Sequence, residues 1–234
     1  VDLFDEVPRV ALAVYAHPDD AEVACGGTLA LWTDGGCEVH VLVVTSGDKG
    51  TTTAGVVPEE LARVRRGEME EASGALGLAG RLLLGYPDGE VDNTLKLRRE
   101  LVVAVRSLRP EVVLCPDPTA TFFGERYVNH RDHREVGWAT LDAVSPAAAL
   151  PLYFPDAGPP HQVGTILLSG SLEPDVAVDI SKTMERKILA LSCHRTQVGT
   201  STEWVESMVR RRAEEAGHAA KVRYAETFRR QFVD

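Results

Sequence analysis

Four short apolar runs constrain this chain most: RVALAVYA (9–16), CEVHVLVVTSG (37–47), RLLLGY (81–86) and EVVLCP (111–116). The first is too continuous for a strand with one wet face and reads as a strand covered on both sides; the others follow it. Helical patterns lie between them. Residues 21–34 offer Val23, Leu29, Ala30 and Trp32 for packing. PEELARVRRGEMEEASGALG (58–77) has Pro58 near its start and Gly77 near its end, and LKLRRELVVAVRSLR (95–109) supplies a further helix. Such alternation implies right-handed crossovers and an open, mainly parallel α/β sheet. Ligands of such sheets gather outside the carboxyl ends of the strands. The polar tips HPDD, SGDKG, YPDG and the loop after VVLCP therefore open on one rim.

The second half is read more coarsely. A helix is expected over 133–144, proline-rich text over 146–160, strands at 163–169 and 175–180, and a helix over 182–194. Residues 203–229 are expected as an exposed helix ending in a docked aromatic turn. No internal repeat or composition shift divides the chain, so one domain over 1–234 is expected.

The first strand ends in AVYAHPDDAEVACGGTLA (13–30). His17 and Asp20 are three apart, and Pro18 suits a first helical position. One turn would bring imidazole and carboxylate to one side, as two ligands of a divalent metal require, with Asp19 free to accept a proton. The other reading is helix capping, since aspartates before a helix serve as N-caps and complement its dipole. Gly26 and Gly27 lack the order of a dinucleotide loop and read as close helix packing.

A second cluster, YVNHRDHREVG (127–137), sets His130 and His133 around Asp132 just before a helix; a capping box with Glu135 is its structural alternative. The chain has 7 histidines, and three of them fall in these two segments. His17, Asp20 and His133 compose a His₂Asp set with open positions, as in catalytic zinc sites. His130 is left to donate to a developing oxyanion or to protonate a leaving group.

These motifs resemble the LmbE-like, or PIG-L, family of zinc-dependent N-deacetylases, which opens with AHPDDE after its first strand and carries HxDH in mid-chain. Similarity continues through TSGDKG, RVRRGEMEEASGALG, YPDG and KILALSCHRTQ. Ala21 stands where many members carry the first glutamate, with Glu22 following. The resemblance implies a Rossmann-like three-layer sandwich. It also implies zinc (iron or another divalent ion being open) on His17, Asp20 and His133, with Asp19 as general base. His130 would stabilise the tetrahedral intermediate and Asp132 would orient an imidazole. The implied substrate is an N-acetylated amino sugar or sugar conjugate. A larger amide, or a non-catalytic sugar or nucleotide binder, is the alternative.

Arg65 matches a family arginine that reaches toward substrate, or is a helix arginine paired with Glu68. Asp88 is a turn residue or a sugar-hydroxyl contact. His194 is a family histidine that approaches the active site, in some members from a neighbouring subunit, or a helix C-terminal cap. Tyr127 closes over the site or is a loop aromatic.

Composition excludes other classes. Hydrophobic residues at 44% and charged residues at 26% describe a soluble globular chain, and a net charge of -10 argues against nucleic-acid or membrane partners. No apolar stretch reaches membrane-spanning length, and VDLFDEVPRV lacks the pattern of a signal peptide. Four scattered cysteines with no CxxC fit a reducing cytoplasm. A homo-oligomer is left open.

Overall fold

In the strand VALAVY, Leu12 and Val14 point to one face while Ala11, Ala13 and Tyr15 point to the other, and both sets are buried. That strand lies at the centre of the structure, a computed structural model that describes residues 1–199 and 203–233. The chain begins with β1 (Asp2–Leu3), β2 (Val10–Tyr15), α1 (Asp20–Asp34), β3 (Glu38–Thr45), α2 (Pro58–Leu76) and β4 (Gly80–Tyr86). It continues through α3 (Leu95–Leu108), β5 (Val112–Pro116), a hairpin of β6 (Phe122–Phe123) and β7 (Tyr127–Val128), and α4 (Arg131–Asp142). A π-helical turn (Ala143–Ala148) then leads to β8 (Thr165–Ser169), β9 (Val176–Asp179), α5 (Met184–Ser192), α6 (Arg195–Val198), α7 (Glu203–Ala220) and β10 (Ala225–Phe232).

The main sheet has the order β1-β9-β10-β8-β5-β2-β3-β4. Every pairing is parallel except the two that β10 makes with β8 and β9. Helices α1, α2, α5 and α7 cover the face of Ala13 and Tyr15, through Leu29, Met69, Ile188 and Val209. Helices α3 and α4 cover the opposite face, through Leu101, Val102 and Val136. This is the expected Rossmann-like three-layer sandwich. From β2 the chain builds β3 and β4 outward on one side, then crosses back to β5 and β8 on the other. The crevice between the tips of β2 and β5 is thus the switch point where such sheets bind ligands. The HPDD and HRDH segments follow those two strands.

Three local expectations differ. Helix α1 starts at Asp20, so Pro18 lies outside it; the preceding Asp19 has φ 117°, a conformation rarely adopted by any residue but glycine. The stretch over 203–229 is not one helix: α7 ends at Ala220 and β10 joins the sheet between β8 and β9. Its charges masked the strand, because Glu226 is buried yet paired with Lys187 and the amides of Gly27 and Thr28. The loop after β5 carries a hairpin rather than irregular chain only.

Helix α1 is kinked at Cys25, whose φ of -144° is non-helical. Gly27 follows the kink, and a Cβ there would meet the Ile180 side chain at 2.8 Å. Gly27→Ala is therefore expected to destabilise the fold by about 1–3 kcal/mol through overpacking. A lowered denaturant midpoint with an unchanged slope would report it. Among the described residues, no helix is long and apolar enough to cross a membrane.

Candidate metal centre

His17 follows β2 on a tight turn in which the Asp20 amide donates to its carbonyl at 3.2 Å, while its own amide donates to Asp20 Oδ2 at 2.8 Å. This turn, rather than a helical one, brings the two side chains together. His133 comes from the first turn of α4 after β5. The distances are 3.3 Å from His17 Nδ1 to Asp20 Oδ2, 3.2 Å from His133 Nε2 to Asp20 Oδ1, and 3.2 Å between the two ring nitrogens. Donors on a tetrahedral ion with bonds of about 2.0–2.1 Å lie roughly 3.3–3.4 Å apart, and each histidine stands at about that distance from the other and from one of the two Asp20 oxygens, a spacing within reach of one divalent cation.

The tautomers make the same case. His17 Nε2 faces only carboxylates, Asp88 Oδ1 at 3.1 Å and Asp132 Oδ2 at 3.4 Å, and so carries hydrogen. His133 Nδ1 faces Asn129 Oδ1 at 3.0 Å, and the amide is fixed in that sense because its Nδ2 donates to the Ala120 carbonyl at 2.8 Å. As neutral rings, both histidines then direct lone pairs at each other and at the Asp20 carboxylate. Such a convergence of donors calls for positive charge. Without a cation, a proton meets that demand and His17 is charged. Burial opposes a charge on His17, but Asp20, Asp132 and Asp88 outweigh it and push the imidazole up to about 12. Burial likewise works against an Asp20 carboxylate, yet His133 and His17 hold it well below the usual range.

Asp132 is fully buried and accepts from the Gly89 amide at 2.7 Å and the Val91 amide at 3.3 Å, which aims it at His17. It does not cap α4. The cap is His130, whose Nδ1 accepts from the Asp132 amide at 3.2 Å. An accepting Nδ1 leaves hydrogen on Nε2, and His130 stays exposed with its ring 4.8 Å from that of His17. Burial and the charge of His17 lower its pKa, favouring the neutral, donating ring.

Asp19 makes no side-chain cap either. Its Oδ1 accepts from Arg65 Nη2 at 3.1 Å, and among the described residues Oδ2 has no protein partner. Burial, reinforced by the Asp20 charge, pushes its pKa up to about 7 against the pull of Arg65. Holding a non-glycine residue at such a φ costs about 1–3 kcal/mol.

Of the outer residues, Asp88 sits in a turn and Tyr127 is an exposed hairpin aromatic, as one reading of each has it, whereas Arg65 and His194 are buried. Arg65 is only 2% exposed; beyond Asp19 it donates to the carbonyls of Pro18 and Gly47, so it neither reaches into open space nor pairs with Glu68. Glu68 instead binds Thr196. Asp88 is buried against His17 rather than presented to a sugar. His194 is fully buried at the start of α6, makes no side-chain cap, and has Nε2 3.4 Å from Glu22 Oε2. It makes no helix cap, but it stands near enough to Asp19 for each to feel the other's charge, so it approaches the site from within the fold. Tyr127 stands exposed on the hairpin, 5.8 Å from the Phe123 ring.

Asn129 is the site residue that sequence reasoning missed. An amide four places before a ligating histidine, outside any helix, was its only signal. Asn129→Ala is expected to weaken metal affinity by about 10–100-fold, because the His133 ring loses the acceptor that fixes its tautomer. Isothermal titration with zinc measures this directly.

Comparisons with known proteins point the same way. The family model described as PIG-L, GlcNAc-PI de-N-acetylase, matches residues 12–144. A diacetylchitobiose deacetylase of Thermococcus kodakarensis is 35% identical over 231 residues, covering 97% of this chain and 84% of the relative. A 1D-myo-inositol 2-acetamido-2-deoxy-alpha-D-glucopyranoside deacetylase of Rhodococcus jostii is 29% identical, with 85% of each chain covered. Among solved structures, the N,N'-diacetylchitobiose deacetylase of Pyrococcus horikoshii superposes with a TM-score of 0.87 at 32% identity. That match covers 96% of this chain and 84% of the other.

Proposed function

Because the chain belongs to the PIG-L family, we propose that it hydrolyses the N-acetyl group of an N-acetylated amino sugar or sugar conjugate. Zinc is the proposed metal, held by His17, Asp20 and His133. When bound it supplies Lewis acidity, which acidifies a water and polarises the amide carbonyl. The observation that carries this reading is the pair of imidazole lone pairs converging with Asp20 on one point.

The chain's own groups divide the remaining work. Asp19 takes the proton of the attacking water through Oδ2, while Arg65 keeps Oδ1 occupied and the carboxylate aimed. His130 donates its Nε2 hydrogen to the carbonyl oxygen as that oxygen gains negative charge. The C–N bond then breaks, acetate forms, and Asp19 returns its proton to the departing amine. Asp132 and Asp88 hold the His17 ring in register. A binder without turnover would have no use for a strained carboxylate with one oxygen left free beside the cation.

The test is release of acetate from N-acetylglucosamine and its conjugates by the zinc-loaded chain. Activity is expected in the parent and its loss in His133→Ala, together with the metal. Stoichiometric sugar binding with no turnover across the panel would refute the reading.

A further inference from the structure

A cavity of about 660 Å³ opens from the metal centre, with Asp20 and His133 on its wall. None of Asp19, Arg65, Asp88 or His130 lines it. The cation position therefore stands between two different environments. One side holds the polar groups that perform the chemistry, and the other holds this cavity.

Most of the polar side chains along the cavity are already engaged with each other. The Tyr15 hydroxyl donates to Ser169 Oγ at 2.9 Å, and Ser169 Oγ donates to the Cys115 carbonyl at 3.3 Å. Lys187 and Glu226 form a buried ion pair, and Glu226 also accepts from the Gly27 and Thr28 amides at 2.9 and 2.7 Å. Asn129 uses its oxygen on His133 and its nitrogen on Ala120. The exposed Arg212 is the one charge on the wall that makes no ion pair among the described residues. Beyond Arg212 and the Tyr127 and Thr227 hydroxyls, what remains for a ligand is hydrocarbon. Val23 and Ala24, one turn along α1 from Asp20, begin an apolar wall that Met208, Val209, Ala213 and Ala216 of α7 continue.

A sugar ring needs free hydrogen-bonding groups, and this cavity presents few; an alkyl chain needs none. An amide bound at the centre has two substituents diverging from the carbonyl, the sugar amine and the acyl chain. We infer that the acyl chain enters this cavity, and that the enzyme accepts N-acyl amino sugars with chains well beyond acetyl. The inference rests on the deacetylase reading and names the acyl half of its substrate.

The experiment compares kcat/KM of the zinc-loaded chain for N-acetyl-, N-butyryl- and N-hexanoylglucosamine by release of the free amine. Burial of a methylene sets a ceiling of about fourfold per group. The hexanoyl amide is expected to exceed the acetyl amide by about tenfold or more. Ala216→Phe is expected to reverse that ratio by filling the far wall, and Met208→Phe reads the same wall should the first variant fail to fold. A parent that cleaves N-acetylglucosamine but loses tenfold on the longer amides overturns the acyl cavity alone. A preference that neither variant moves places the chain elsewhere and also overturns it. Cleavage of none of the three amides removes the deacetylase reading, and this inference with it.

Discussion

Asp19→Asn is expected to retain zinc at the parent's stoichiometry and to lose about 10²–10⁴-fold in kcat, the usual worth of a positioned general base. Asparagine is the informative choice. Its carbonyl can still accept from Arg65 Nη2, and it tolerates the positive φ of 117° better than alanine would. Shape, backbone and cation site are thus kept, while the ability to take a proton is lost. Asp20→Ala should behave differently, losing metal and turnover together, because its two oxygens face His17 and His133 separately. Elemental analysis beside acetate release distinguishes the two. An Asp19→Asn enzyme that turns over at the parent's rate would remove Asp19 from the role of base.

Glu226→Ala is expected to destabilise the chain by about 3–5 kcal/mol, because it leaves the buried Lys187 without its counter-charge. Lys187 is 4% exposed and Glu226 is 5% exposed, so water cannot take over from the lost partner. The carboxylate also accepts from Gly27 and Thr28 beyond the kink of α1, where the helix leaves its own amides unpaired. For a chain of this size the loss corresponds to a drop of about 6–10 °C in Tm. Replacing both partners by methionine should recover only part of it, since the apolar pair removes the stranded charge but leaves the Gly27 and Thr28 amides without their acceptor. Thermal unfolding of both variants measures this. A drop below about 1 kcal/mol for Glu226→Ala would mean that the pair is hydrated.

Strands β2, β3 and β5 were legible because hydrophobicity there is a direct record of burial. VALAVY and VHVLVV are covered on both faces and have no charge to pair. Strand β10 was not legible for the opposite reason. AETFRRQF carries a buried glutamate whose partners, Lys187 and the α1 amides, are distant in sequence, and no local pattern announces such compensation. The same contrast holds at the site. HPDD and HRDH show their chemistry in residue type and spacing. Arg65, Asp88 and His194 acquire their settings only from tertiary packing, and each is more deeply buried than an outward role requires. Asn129 shows its part only when the His133 ring is seen to need a fixed tautomer.

The account depends most directly on the metal. The decisive measurement is acetate release from an N-acetylglucosamine conjugate by chelator-stripped protein, titrated with zinc and followed against bound metal. Negligible release is expected before addition, with activity rising in proportion to zinc on His17, Asp20 and His133 up to one equivalent. Full turnover by the stripped chain, or activity that ignores the loss of His133, would contradict it.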